Sequence, residues 1–146
     1  MTMTDLVGEL TTLLRAGTAS AVEQYERSDL VTAVCAYVQP NRTAGETAKD
    51  LDSGVSGGTF FERHYVDIVC RGPWGADATT HEAVDTLVEE LKAVIRAHRD
   101  ITHSGAANCT VGRIEDTRWC YFQRPGTTEA TTWGAALSAS WRTGSA

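Results

Sequence analysis

The stretch 60-FFERHYVDIVCRG-72, followed after a short Gly/Pro/Trp loop by 79-TTHEAVDTLVEELKAVIRAHRD-100, decides the fold class of this chain. In the first segment His64, Val66, Ile68 and Cys70 share one face, and Phe61, Tyr65 and Val69 populate the other. β-Branched and aromatic residues dominate, and Gly72-Pro73 ends the run, so the spacing predicts a strand. Apolar residues on both faces predict a central strand. In the second segment Val84, Leu87, Val88, Leu91, Val94, Ile95 and His98 recur at intervals of three and four. That pattern lays one apolar stripe along a helix. Thr79 and Glu82 have capping-box spacing, which starts the helix there. Glu82, Asp85, Glu89 and Glu90 precede Lys92, Arg96 and Arg99, a charge order that complements the helix dipole.

The flanking text supplies the remaining elements. Leu6, Val7, Leu10, Leu13 and Leu14 predict a first helix over Asp5–Ala16, with Thr4 as N-cap and Gly17 as its stop. Ser20 and Glu23 repeat the capping spacing and predict a short helical continuation over Ala21–Arg27. Leu30–Gln39 reads as a strand ended by Pro40, although a run this short also permits a helix. Pro40–Gly58 is polar and rich in Gly, Ser and Thr, and forms one long loop. Ile101–Ala107 reads as a polar link. Cys109–Ile114 and Thr117–Gln123 are expected to form a hairpin around Glu115-Asp116. Trp133–Arg142 alternates like a half-buried strand, and residues 143–146 are expected to fray. The predicted fold is a single α+β domain over residues 1–146. A mixed, mainly antiparallel sheet of about four to five strands packs on two main helices.

Composition narrows the function. The chain has 146 residues, 42% hydrophobic and 22% charged, the balance of an ordinary globular protein. Its net charge is −6 and its 13 Lys and Arg are scattered, so no basic patch for nucleic-acid binding is expected. No apolar run reaches membrane length, and the acidic, polar beginning lacks a leader pattern, so the chain is expected to be unexported and not membrane-bound. Cys35 and Cys70 lie in apolar strand text and read as small buried hydrophobes. A Cys109–Cys120 disulfide across the expected hairpin is open, against the reducing character of cytosol.

Catalytic patterns are weak. There is no GxSxG, HExxH, P-loop or dinucleotide fingerprint. No catalytic residue, metal ligand or cofactor is therefore expected. His64 and Cys70 are six residues apart on one strand, about 20 Å, too far to pair directly. Cys70 beside His81 or His98 is sterically conceivable. Asp67, set between Val66 and Ile68, calls for a partner if buried, and Arg63 or Arg71 could supply one. With Cys70, His64 and Asp67 near a pocket, a small cytosolic α+β enzyme or ligand-binding domain is the alternative reading. Trp74, Trp119, Trp133 and Trp141 suit either a core or an interface, since tryptophan buries much area at low entropic cost.

The order of elements, with Tyr65–Gly72 before the loop, the helix His81–Arg99 and the late strand Trp133–Arg142, resembles the tail terminator (tail-completion) proteins of long-tailed viruses of bacteria and archaea. The resemblance covers Asp5–Arg142. It implies a virion structural protein made in the host cytoplasm, a subunit of a six-membered ring that ends the tail tube and joins it to the neck. Its partners would be further copies of itself, the tail tube protein and a neck or head-completion protein. DNA would pass through the channel without specific binding. Another neck position is the nearest alternative. The expected assembly interface comprises Arg42, Glu46, Lys49, Asp50 and Asp52 from the long loop, with Trp74, Trp133, Trp141 and Arg142.

Overall fold

A computed structural model of the protein describes residues 2–25, 33–41, 48–50, 60–75, 78–103, 107–123 and 131–145. Among these residues it is an α+β fold with two helices and seven strands, more than the four to five strands expected, because short polar segments are recruited as edge pairings. The elements run α1 (Met3–Gly17), β1 (Ala21–Gln24), β2 (Cys35–Pro40), β3 (Ala48–Asp50), β4 (Phe60–Arg71), α2 (Ala78–Ala97), β5 (Ile101–His103), β6 (Ala107–Gln123) and β7 (Thr131–Ser145). The sheet order is β1-β2-β4-β7-β6-β5, and β3 joins the N-terminal half of β4. Every pair is antiparallel except β1 with β2. The sheet is curled, and both helices pack on one of its faces.

Helix α1 starts at Thr2. The Thr2 side chain accepts from the Asp5 N–H at 3.1 Å, and the Asp5 carboxylate accepts from the Thr2 N–H at 3.0 Å. The bond from the Thr2 backbone and the bond to its side chain hold the Asp5 carboxyl below its ordinary range. The cap is therefore Thr2, and Thr4, expected in that role, sits inside the first turn. Leu6, Val7, Leu10 and Leu14 make the buried stripe. In α2 the stripe is Val84, Leu87, Val88, Leu91 and Ile95. That helix begins at Ala78, so Thr79 lies in its first turn rather than at the cap. The two stripes close over Val38, Val66, Ile68, Leu137 and Trp141 of the sheet. Each large side chain so covered contributes roughly 1.5–3 kcal/mol.

Strand β4 is central, as expected, although its second face carries Arg63, Asp67 and Arg71 beside Val69. Its whole length, Phe60–Arg71, registers against Ser145–Gly134 of β7, and Val66–Arg71 also pairs with β2.

Several local expectations are corrected by tertiary pairing. Ala21–Gln24 is strand β1, where a helical continuation was expected. Val22 is buried against the core, the Glu23 carboxylate meets Arg15 at 3.4 Å, and the Ser20 N–H is taken by the Thr18 side chain. Ser20 and Glu23 thus spend their capping groups elsewhere. Strand β2 begins at Cys35, later than Leu30, and residues 30–32 lie outside the described residues. Within the expected long loop, Ala48–Asp50 pairs with Glu62–His64. Ile101–His103, expected as a link, pairs with Ala107–Cys109. Ala107–Gln123 is one continuous strand where a hairpin was expected. Glu115 occupies a bulge between Ile114 and Asp116, and a second bulge spans Val111 and Gly112. A bulge absorbs an extra residue without reversing the chain. The strand therefore keeps its course along β7, whose 15 residues give it a partner from Cys109 to Gln123.

One continuous strand also excludes the Cys109–Cys120 bridge. The two thiols lie eleven positions apart, about 36 Å, and all four cysteines are free. Strand β7 extends to Ser145, past the expected start of a frayed tail, and Thr143 is buried opposite Cys109.

Candidate functional site

Strand β6 is where the sheet meets the outside. On one side it pairs with β7 from Cys109 to Gln123. On the other, β5 covers only Ala107–Cys109, and the Gly112 N–H is taken by the Arg99 carbonyl at 2.8 Å. From Arg113 to Gln123 no strand among the described residues covers that outer edge. Of the four large hydrophobic residues exposed among those described, Val111, Trp119 and Tyr121 belong to this strand. Trp119 is 38% exposed and Tyr121 61%.

Register explains why these aromatics gather. Trp119 lies opposite Ala135 and Tyr121 opposite Trp133, on the side of the sheet that faces the helices. Trp133 stacks on Trp119 at 5.6 Å and on His81 of α2 at 5.2 Å, each at 13° between planes. Tyr121 tilts across both His81 and Trp133, at 5.8 and 5.0 Å. The Trp133 Nε1 donates to Asp85 at 3.2 Å, which ties the stack to α2. Four rings thus form an aromatic platform beside a strand edge that no described strand covers.

The opposite face of the sheet is polar and, where strands meet, buried. Asn41 Nδ2 donates to Ser138 Oγ at 3.0 Å, and Ser138 Oγ donates to Asp67 at 2.8 Å. Arg63 donates to Ser140 Oγ at 2.9 Å and to the Val111 carbonyl at 3.4 Å. Ser140 donates to Glu115, which also accepts from Arg113 Nε at 2.6 Å. Burial and the neighbouring Arg113 lower the Arg63 pKa. Burial opposes ionisation of Glu115, but the bonds from Ser140 and Arg113 outweigh it and hold the carboxyl below its usual range. At the C-terminal end of β4 the Arg71 guanidinium faces the rings of Phe122, Trp74 and Tyr37 at 4.9, 5.8 and 5.9 Å. These contacts clip β2, β4, β7 and β6 together on the side that has no helix.

The residues expected at an interface separate into distinct environments. Arg42, Glu46 and Asp52 lie outside the described residues. Lys49 and Asp50 are in β3, in register with Arg63 and Glu62. Trp74 is half-buried against Cys35 and Tyr37 on the polar side, away from Trp133. Arg142 lies opposite Arg63 on β7. Trp133 belongs to the aromatic platform. Trp141 does not fit the expectation: it is 0% exposed in the single chain and belongs to the core. The residues that the expected set lacked are His81, Trp119 and Tyr121. The period-2 spacing of Trp119 and Tyr121 was visible, but the assumed hairpin turn at Glu115-Asp116 hid their continuity with the strand edge.

The alternative enzyme-like set is not brought together. Cys70 and His64 face the core, whereas Asp67 is on the opposite side of the sheet, bonded to Ser138. Arg63 and Arg71, considered as partners for Asp67, contact Ser140 and the aromatic rings respectively. Burial pushes the Cys70 and Cys109 thiols up to about 12, far from a thiolate nucleophile at neutral pH. Among the described residues there is no group of three His, Cys, Asp or Glu placed to hold a metal.

The buried thiols yield a pH prediction. A thiol whose folded pKa is raised from 9.0 favours the folded state, fully so below pH 9. That contribution is lost as pH rises from 9 towards 12, at about 1.4 kcal/mol per unit for each thiol. The urea midpoint should fall steeply above pH 9, and Cys70→Ala should flatten that limb relative to the wild type. An unchanged slope in the variant would mean that Cys70 does not titrate with unfolding.

No protein-family model matches the chain, and no curated protein matches its sequence.

Proposed function

We propose that this protein is a virion structural subunit, one member of a ring that terminates a viral tail tube and joins it to the neck while leaving a channel for DNA. The observation that carries this reading is the open outer edge of β6, with Trp119 and Tyr121 exposed beside it. An edge of this kind is a template for pairing with another chain, and soluble monomers usually blunt it. The α+β layout adds support, because the two helices cover one face of the sheet and the described strands leave the outer edge of β6 uncovered. So does the element order that resembles tail terminators. A net charge of −6 suits a channel wall that does not retain passing DNA.

In this role the partners are further copies of the chain, the tail tube protein and a head-completion or neck protein. Native mass spectrometry of the purified chain, with sedimentation against isolated tail tubes, tests the reading. Rings and co-sedimentation with tubes are expected. A chain that stays monomeric at high concentration and ignores tubes would overturn it, and binding to the head-side neck complex alone would move it one position up the neck.

A further inference from the structure

Helix α2 and strand β6 run side by side in opposite directions. Tyr121 meets His81 in the first turn of α2, and the Arg99 side chain donates from Nε to the Gly112 carbonyl at 3.3 Å, just past the end of that helix. From His81 to Arg96 the helix covers about 22 Å, and from Tyr121 back to Ile114 the strand covers about 23 Å. The edge beside them has two unlike ends. At one lie the aromatic platform and the regular stretch Thr117–Gln123, in unbroken register with β7 from Thr117 opposite Leu137 to Gln123 opposite Thr131. At the other is a cleft of about 510 Å³, lined by Ile95, Arg96 and Arg99 at the end of α2 and by Gly112, Arg113 and Ile114 of β6.

Arginines at a helix C-terminus ordinarily cap its last carbonyls. Here four carbonyls at that end are already taken. Those of Val94 and Ile95 accept from the His98 N–H at 3.0 and 3.2 Å, that of His98 accepts from Trp141 Nε1 at 3.2 Å, and that of Arg99 accepts from the Gly112 N–H at 2.8 Å. Arg113 is spent on Glu115, to which its Nε donates at 2.6 Å. Among the described residues no carboxylate pairs with Arg96 or Arg99. In a chain of net charge −6, two guanidinium groups left without a carboxylate, over the apolar side chains of Ile95 and Ile114, suit carboxylates brought from outside. Asp100, Glu115 and Asp116 stand beside these residues in the chain, which disfavours a continuous run of phosphates.

We propose that the edge of β6 beside α2 takes an extended, acid-tailed arm of a partner protein. The inference rests on reading β6 as an assembly edge, and it names what that edge receives. The arm adds to Thr117–Gln123 as a strand, and antiparallel pairing is the more stable choice. Because β6 runs away from the cleft, an antiparallel arm brings its C-terminal end towards it. Residues two apart in the arm face Tyr121 and Trp119, and β-branched or aromatic side chains suit both places. Ile114 lies five positions before Trp119, so the carboxylates belong about four to five positions after the residue opposite Trp119. The bulges over residues 110–116 end the pairing and let the tail leave the edge for the cleft, where Arg96 and Arg99 meet it. Each copy takes its own arm, so every copy of a ring keeps the same orientation. One arm covers less than a standard interface, so a single contact is weak, and contacts repeated around a ring add by avidity.

A fluorescein-labelled peptide, Thr-Val-Thr-Val-Thr-Gly-Thr-Glu-Glu, carries these features in this order and serves as the probe. Fluorescence anisotropy with the full chain should give a Kd of roughly 10–500 µM, which weakens as salt is raised. Replacing the two Glu by Gln, or Arg96→Glu in the protein, should weaken binding by about five-fold or more. Arg96 is exposed, so its variant should keep the wild-type circular dichroism. Arg118→Glu makes the same charge change on the other face of β6 and should bind within about two-fold of the wild type. Hydrogen exchange at Thr117–Gln123 should slow when the peptide is bound. No binding at about 1 mM peptide, equal binding of the Gln peptide, or an Arg118→Glu loss as large as that of Arg96→Glu would overturn the proposal. So would tighter, Arg96-dependent binding of a fluorescein-labelled DNA dodecamer. Protection of Thr117–Gln123 on raising the protein concentration alone would give the edge to a second copy and also overturn it. Rings that bind tail tubes, formed by a chain that ignores the peptide, would remove the arm and leave the subunit reading intact. A peptide-binding chain that never forms rings or meets tubes would do the reverse.

Discussion

Trp141→Ala is expected to cost about 3–5 kcal/mol of folding stability, the range for truncating a fully buried aromatic. Trp141 is 0% exposed and heads the largest fully buried side chains of the chain. It lies on β7 opposite His64, beneath the helices, and its Nε1 donates to the His98 carbonyl at 3.2 Å, just past the end of α2. Truncation opens a cavity and removes the donor that satisfies that carbonyl. Next to it, Gly112 leaves room for the indole: a Cβ there would come within 2.1 Å of Trp141 Nε1. The surroundings are thus shaped around this one ring and have little freedom to collapse into the gap. Set against a typical total of 5–15 kcal/mol, the loss is large. The melting temperature should fall by roughly 10–15 °C, since each kcal/mol shifts a domain of about this size by several degrees. A melt within about 3 °C of the wild type, with assembly lost, would return Trp141 to the interface role that its alternating strand first implied.

Gly134→Ala should be the other severe substitution. Gly134 sits mid-strand in β7, between Arg71 of β4 and Cys120 of β6. A Cβ there would lie 2.3 Å from the Cys70 carbonyl oxygen and 2.7 Å from a ring carbon of Phe122. The ring has some freedom, but the carbonyl belongs to the backbone of β4, and moving it strains the central pair of the sheet. Overpacking ordinarily costs 1–3 kcal/mol, and a backbone obstruction places this case at or above the top of that range. Urea unfolding measures it directly: the midpoint should drop with the m-value unchanged. A midpoint equal to that of the wild type would show that β4 and β7 separate freely at this point. The same close approach lets Phe122 lie over the strand and present its face to Arg71 at 4.9 Å.

These substitutions mark the border between what local sequence encodes and what packing decides. Strand β4 and helix α2 were legible because each carries its own period. The alternation through His64, Val66, Ile68 and Cys70, and the stripe from Val84 to Ile95, both hold in the structure. Both are long enough to settle their conformation with little help. Short segments are not. Ala21–Gln24 has capping residues at helical spacing, yet it is a strand because the edge of β2 and the core beneath Val22 give it more than a single helical turn could. Ile101–His103 is polar text made into strand by β6 alone.

The candidate site shows the same division. A period of two tells which side chains share a face, so Trp119 and Tyr121 were bound to point the same way, as were Trp133 and Trp141. Which of them would be covered was not written in that period. It follows from position: Trp141 falls beneath the helices, whereas Trp119 and Tyr121 ride on the outermost long strand, at the margin of the face that α2 covers. Hydrophobic burial does not distinguish a core from an interface, because water is excluded equally in both. The sequence by itself determined the α+β class, the central strand and the long helix, since local periodicity specifies them. Only the tertiary structure decided that β6 is one continuous strand, because that depends on where β7 runs, and that no described strand covers its outer edge from Arg113 to Gln123.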